Sequence, residues 1–274
     1  MKLGYINYLN CYPFYYDMLE KSPLPDVEIV PGYPGELNRM MVRQELDISP
    51  ISAAAYADVQ ADVLLLPDFC LSSVGYVRSV ILNSRVPIES LHHKSVGLSR
   101  ASQTSVALLK ILLKKYYKVE PHYLPTAPKP SLKAENLDAA LIIGNEAIMQ
   151  CTEPVPYTYD LGDLWLRKTG YPVVFAVFAV RESAVKKFPS QVSAVVKSYH
   201  QSLECLESER ELLIGKAAER YPNIQYDIHT YYNLLQYNFT AEMKSALDFY
   251  FRLGGEMGVL EEVNMLRFMD SIKL

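Results

Sequence analysis

Short apolar runs separated by polar turns occupy the first two thirds of the chain, and amphipathic stretches of helical period fill the last third. A first strand starts at residue 3 and runs straight into the turn Asn10-Cys11-Tyr12-Pro13. The run Phe14 to Glu20 reads as a short helix closed by Ser22-Pro23-Leu24-Pro25, because proline cannot continue a helix. Val27 to Val30 is a strand, and Pro34-Gly35-Glu36 opens a second helix with Leu37, Met40 and Met41 on one face. Asp47 to Ile51 is a further strand, running into Ser52 as a natural helix cap. This β-α-β-α-β series with short loops predicts a parallel sheet covered by helices.

From Val63 to Ser84 the pattern predicts two strands and a crossover. A second unit follows: strand Ser95 to Leu98, helix Gln103 to Tyr116, strand Val119 to Leu124, a proline-rich loop Pro125 to Lys133 and the buried strand Leu137 to Ile143. Tyr157 to Leu161 and Asp163 to Thr169 add a strand and a helix stopped by Gly170, and Val173 to Val180 is a long strand that returns the chain to the first unit. Everything after Ser183 reads as helical, including the Tyr-rich segment up to Asn238 and a last helix from Glu261 to Ile272. The expected architecture is α/β with two lobes: residues 1–85 plus 181–274 form the first, and 86–180 form the second. Such a layout is that of a binding protein whose hinged cleft closes around a small ligand.

A chain of 274 residues, 50% hydrophobic and 21% charged, has ample core for this arrangement. Its net charge of -4 argues against a nucleic-acid partner, and no apolar run approaches the ~18 residues of a membrane span. Cys11, Cys70, Cys151 and Cys205 form no CxxC, so reduced thiols are expected and neither a zinc site nor a thioredoxin-like motif. With a strand so near the first methionine there is no room for a signal peptide, which predicts a cytoplasmic protein.

Candidate chemistry collects at strand ends, where open α/β sheets bind ligands. Asn10, whose amide both donates and accepts, stands at the end of the first strand, and Ser52 at the end of the third. Ser99, Ser102, Thr104 and Ser105 cluster at one helix start; capping needs only one hydroxyl, and the others with the free N–H groups suit an anion. Arg78-Ser79 interrupts an apolar run, which calls for either a ligand or a buried partner. Gly144-Asn145 repeats the strand-end logic of Asn10 or serves as a plain helix cap. The five histidines show no ligand spacing, no nucleotide-binding loop is present, and the 21 tyrosines are expected to pack helix faces. No metal and no cofactor is expected.

The segments Ile6-Asn7-Tyr8-Leu9-Asn10 with Pro13, Glu45-Leu46-Asp47-Ile48, Val77-Arg78-Ser79-Val80, Ser102-Gln103-Thr104-Ser105-Val106, Leu141-Ile142-Ile143-Gly144, and Thr169-Gly170 through Phe175-Ala176-Val177 together resemble the chorismate dehydratases of the futalosine route to menaquinone. The resemblance spans roughly the first two thirds of the chain. It implies a type II periplasmic-binding-protein fold used as a cytosolic lyase, which converts the dianion chorismate to 3-[(1-carboxyvinyl)oxy]benzoate and water. It also implies Asn10 and Ser79 as the catalytic pair, with the Ser/Thr helix start holding a substrate carboxylate. Ser52, Arg78, Ser102, Thr104, Ser105, Gly144 and Asn145 are the expected substrate contacts. Three positions depart from the common pattern: Gln103 stands for a frequent Arg, Asn145 for Asp, and Phe178 for Trp. If the first two normally pair, their joint change keeps the charge balanced. The related dihydroxynaphthoate synthase, with its Cys-Pro-Asn-Asp-like N-terminal motif, is the second enzyme reading, and a non-catalytic anion sensor on the same fold is a third. Because Asn10 and Ser79 are poor bases, either a further carboxylate of the chain acts or the substrate's own enolpyruvyl carboxylate takes the proton while the protein fixes its geometry, and the second is preferred because positioning alone contributes much of a barrier.

Overall fold

The computed structural model describes residues 1–149 and 154–270. Eleven strands form two separate sheets. The first contains β1 (Lys2–Ile6), β2 (Glu28–Gly32), β3 (Ile48–Ser52), β4 (Val63–Ser73), β10 (Val173–Arg181) and β11 (Gln236–Asn238), in the order β11-β4-β10-β3-β1-β2. The second contains β5 (Val80–Ser84), β6 (Ser95–Ser99), β7 (His122–Thr126), β8 (Ala139–Ile143) and β9 (Tyr157–Asp160), in the order β7-β6-β8-β5-β9. β1 is buried along its length from Leu3 to Ile6 because it lies between parallel neighbours, with Leu3 opposite Ile29 and Ile48. β10 is antiparallel to both β3 and β4, as expected for a strand arriving from the other lobe.

The helices are α1 (Tyr12–Tyr16), α2 (Pro34–Val42), α3 (Tyr56–Val59), α4 (Gln103–Ile111), α5 (Asn145–Ile148), α6 (Leu161–Thr169), α7 (Glu182–Lys187), α8 (Pro189–Ser208), α9 (Arg210–Arg220), α10 (Ile228–Asn233) and α11 (Ala241–Glu256). α2 begins with Pro34 in its first turn and buries Leu37 and Met41. α8 packs on α1, where Phe14, Phe69, Phe178 and Tyr199 form an aromatic cluster with Phe14 and Phe178 ring centres 4.4 Å apart. Phe178, the departure from Trp, is therefore a core residue of the first lobe.

The chain crosses between sheets twice, between Ser73 and Val80 and between Thr169 and Val173. Both crossings contain left-handed residues: Gly75 at φ +81° and Arg78 at +68° in one, Gly170 at +77° in the other. Sheet membership shifts both expected boundaries. β5 pairs with β8 and β9 in the second sheet, where the sequence pattern places residues up to 85 in the first lobe, and β10 belongs to the first sheet, where the pattern places residues up to 180 in the second.

Two C-terminal expectations are corrected. The Tyr-rich segment is helical only over α10, and Gln236–Asn238 leaves the helix to pair with the exposed edge of β4. Residues 261–270 form a non-helical strap without regular secondary structure, with Phe268 bridged to Leu65; 271–274 lie outside the described residues. Arg267 fixes the strap by bonding the carbonyls of Gln60 and Ala61 and the Glu182 carboxylate. Cys11, Cys70 and Cys205 are free and buried, and Cys151 lies outside the described residues.

Candidate active site

Between the two sheets lies a small cavity of about 50 Å³. The turn after β1 (Leu9–Cys11) presents Asn10 and Cys11 from the first lobe, and the end of β3 presents Ser52. The second lobe presents Ser79 just before β5, Ser102 and Ser105 at the start of α4, and Gly144 after β8. Leu71, Val77, Ile143 and Phe175 are among its apolar walls. Six of the expected residues, Asn10, Ser52, Ser79, Ser102, Ser105 and Gly144, thus converge on one space.

Asn10 Oδ1 and Ser52 Oγ are buried, and neither has a hydrogen-bond partner among the described residues. Buried polar atoms are rarely left so, and both are free to bind a polar ligand. Ser102 caps α4, its Oγ accepting from the Ser105 N–H at 3.3 Å and lying 3.2 Å from the Ser105 hydroxyl. That cap leaves other first-turn N–H groups at the positive end of a nine-residue helix.

No side chain that is charged at neutral pH lines the cavity among the described residues. Its two titratable groups are the Tyr8 hydroxyl and the Cys11 thiol. Burial raises both pKa values, and the nearby Glu146 carboxylate raises that of Tyr8 further. Both groups stay protonated across the physiological range, so the wall offers donors but no base.

Three expected contacts lie elsewhere. Arg78 is not among the cavity's lining residues, and its guanidinium lies over the ring of Tyr226, 5.5 Å from its centre. Thr104 is fully buried and is spent on structure, its hydroxyl donating to the Phe175 carbonyl at 2.9 Å and accepting from the Ala54 N–H at 3.1 Å. Asn145 accepts from the Leu9 N–H at 2.9 Å and lines an outer groove beside Tyr33, Glu146 and Arg220. Gln103 bonds Asn38 and Asp58, so it does not pair with Asn145 in this chain.

Tyr231 of α10 belongs with the site although no motif marks it. It is 1% exposed, and its hydroxyl lies close to the side chains of Ser79 and Asn10. Burial raises its pKa, and those two neighbours only partly offset the rise. Only the tertiary fold brings α10 to the two strand ends, so the spacing of tyrosines gave no signal.

The lobes meet around the cavity. Gly35 N–H donates to the Ala101 carbonyl at 3.0 Å, Asn38 bonds Gln103 at 2.7 Å, and Tyr33 bonds Glu146 at 3.5 Å. A side chain on Gly35 would collide with the Arg100 carbonyl, so glycine permits this approach.

A family model described as menaquinone biosynthesis matches residues 1–256. The chain belongs to this family. It is 32% identical over 195 residues to the chorismate dehydratase of Thermus thermophilus, covering 65% of this chain and 69% of that protein. It is 28% identical over 201 residues to the chorismate dehydratase of Campylobacter jejuni, covering 69% of this chain and 74% of that one. Among solved structures, the periplasmic aliphatic sulphonate binding protein of Escherichia coli superposes with a TM-score of 0.66 at 14% identity, covering 100% of this chain and 94% of the other. The fold of this family member is thus periplasmic-binding-protein-like, with two mixed sheets. No helix among the described residues is long and apolar enough to cross a membrane.

Proposed function

We propose that the protein is a chorismate dehydratase, a lyase of menaquinone biosynthesis, and that its cavity holds chorismate while the substrate supplies its own base. The observation that carries the mechanism is the composition of the wall: neutral donors and acceptors surround the space, and both titratable groups lining it are held protonated by burial. A catalyst without a base suits a substrate that brings a carboxylate next to the proton to be lost.

In this reading, the α4 start with Ser102 and Ser105 receives the ring carboxylate, helped by Ser52. Asn10 fixes the enolpyruvyl carboxylate over the ring carbon that bears the ether. The C–H bond there breaks, its electrons form the new ring double bond, and the neighbouring C–O bond breaks. The proton and the departing hydroxide leave as one water, and the aromatic product retains both carboxylates. Ser79 donates to the leaving oxygen, with the Tyr231 hydroxyl close beside it. Geometric restraint of this kind contributes up to roughly 7–11 kcal/mol in favourable cases. The two crossings serve as the hinge by which the lobes admit and enclose the substrate. A cytoplasmic setting is in keeping with a polar dianionic substrate.

Incubation with chorismate, followed by mass spectrometry, is expected to yield a product lighter by one water. Asn10→Ala is expected to lower kcat by about 10²–10³-fold while chorismate affinity changes by less than about fivefold. Thermal stabilisation by chorismate without product would instead favour a sensor, and an active Asn10→Ala variant would remove Asn10 from the chemistry.

A further inference from the structure

We infer that Asn145 is a positioning residue through which the second lobe sets the catalytic turn of the first, an assignment that rests on the dehydratase reading of the cavity. The turn Leu9–Cys11 follows Tyr8, whose backbone is extended and whose side chain provides no cap. Its first N–H groups therefore have no partner within their own segment. The Leu9 N–H finds one across the cleft, the Asn145 carbonyl at 2.9 Å. Asn10 is the next residue.

Gly144, immediately before Asn145, donates its N–H to the Ser79 carbonyl at 2.8 Å. Two consecutive residues thus grip the backbone beside each member of the catalytic pair, one inside the second lobe and one across to the first. Gly144 has φ +63° and ψ -140°, a conformation that suits glycine. A Cβ there would stand 2.5 Å from the Tyr8 ring, so the missing side chain is also what lets the first lobe seat on this turn. Parting the lobes breaks the Leu9–Asn145 bond and leaves the Asn10 turn uncapped, whereas the Gly144–Ser79 bond survives. Closure over the substrate therefore completes the catalytic geometry as well as excluding water.

The test combines kinetics with amide exchange. Asn145→Ala is expected to lower kcat about 10- to 100-fold with KM within about threefold, because the lost contact orients Asn10 and not the substrate. Asn145→Asp, which keeps an acceptor, is expected to restore kcat to within about threefold of wild type. The Leu9 amide, followed by hydrogen exchange in NMR spectra, is expected to be protected by saturating 3-[(1-carboxyvinyl)oxy]benzoate in the wild type and not in Asn145→Ala. An Ala variant with wild-type kcat, a loss confined to KM, or Leu9 protection independent of residue 145 would each overturn the assignment. If the wild type fails to dehydrate chorismate, the functional reading falls by itself, and Leu9 exchange in the unliganded wild type and Ala variant still decides whether the bond exists: equal rates overturn it.

Discussion

The two catalytic turns are built in opposite ways. The backbone of the Ser79 turn is held from within its own lobe: Asp160 at the end of β9 accepts the Val77 N–H at 3.2 Å and the Arg78 N–H at 2.7 Å, while Gly144 bonds the Ser79 carbonyl. Asn10 sits on a turn whose Leu9 carbonyl accepts from Tyr232 of its own lobe but whose Leu9 N–H is bonded only across the cleft. The Ser102 start of α4 resembles the Ser79 turn in being closed by its own residues. The second lobe thus carries a preformed half-site, and the first contributes a group whose setting depends on contact.

The largest effect expected from this contrast comes from Asp160→Asn. Three backbone N–H groups converge on the Asp160 carboxylate, those of Val77, Arg78 and Asp163, and replacing it leaves some of them facing an amide. A stability loss of about 2–3 kcal/mol in urea unfolding is expected, together with a fall in kcat from a displaced Ser79. Burial raises the Asp160 pKa above the ordinary 3.8, against the lowering effect of the backbone N–H groups. The folded chain therefore binds this proton more tightly than the unfolded one. Its contribution is fullest below about pH 4 and is lost as pH rises through the raised folded value. The stability gap between wild type and Asp160→Asn should widen as pH falls from neutral towards 4, and a flat or narrowing gap contradicts the assignment.

A smaller effect tests the binding half-site. The double change Ser102→Ala with Ser105→Ala is expected to raise KM for chorismate about 10- to 30-fold with kcat within about threefold, since these hydroxyls hold a carboxylate equally before and during reaction. A loss expressed in kcat would move them into the chemistry. The smallest effect concerns Thr104→Val, which removes two buried bonds to backbone. It should cost about 1 kcal/mol in stability with kcat/KM within about twofold; a large activity loss would return Thr104 to the site.

The parts of this site legible in sequence were those fixed by local rules. Strand ends placed Asn10, Ser52 and Gly144, and a polar residue inside an apolar run placed Ser79. Ser102 and Ser105 are three apart and share a helix face, whereas Thr104 is rotated towards β10, a distinction helical spacing already contains. Arg78 misled because a pattern of polarity does not say which way a side chain goes, and its guanidinium lies on the ring of Tyr226. Tyr231 and the cross-cleft role of Asn145 depend on segments more than 130 residues apart in sequence meeting in space. The strap over 261–270 carries Val263 and Leu266 at helical spacing, yet it is not helical and bridges Phe268 to Leu65, so packing overrode periodicity.

The strand order also dictates an order of biosynthesis. Every strand of the second sheet comes from one stretch, residues 80–160, so that sheet can be completed as soon as the stretch has left the ribosome. The first sheet is begun earlier and finished later. Among the described residues β4, eleven residues long, is paired by β10, β11 and the bridge at Phe268, none of which is synthesised until the whole second sheet has been made. During that interval the nascent chain carries Val63–Ser73 with both edges unsatisfied, the kind of segment on which aggregation starts and to which chaperones bind. The lobe whose synthesis begins first is the lobe whose sheet has its last strand supplied last.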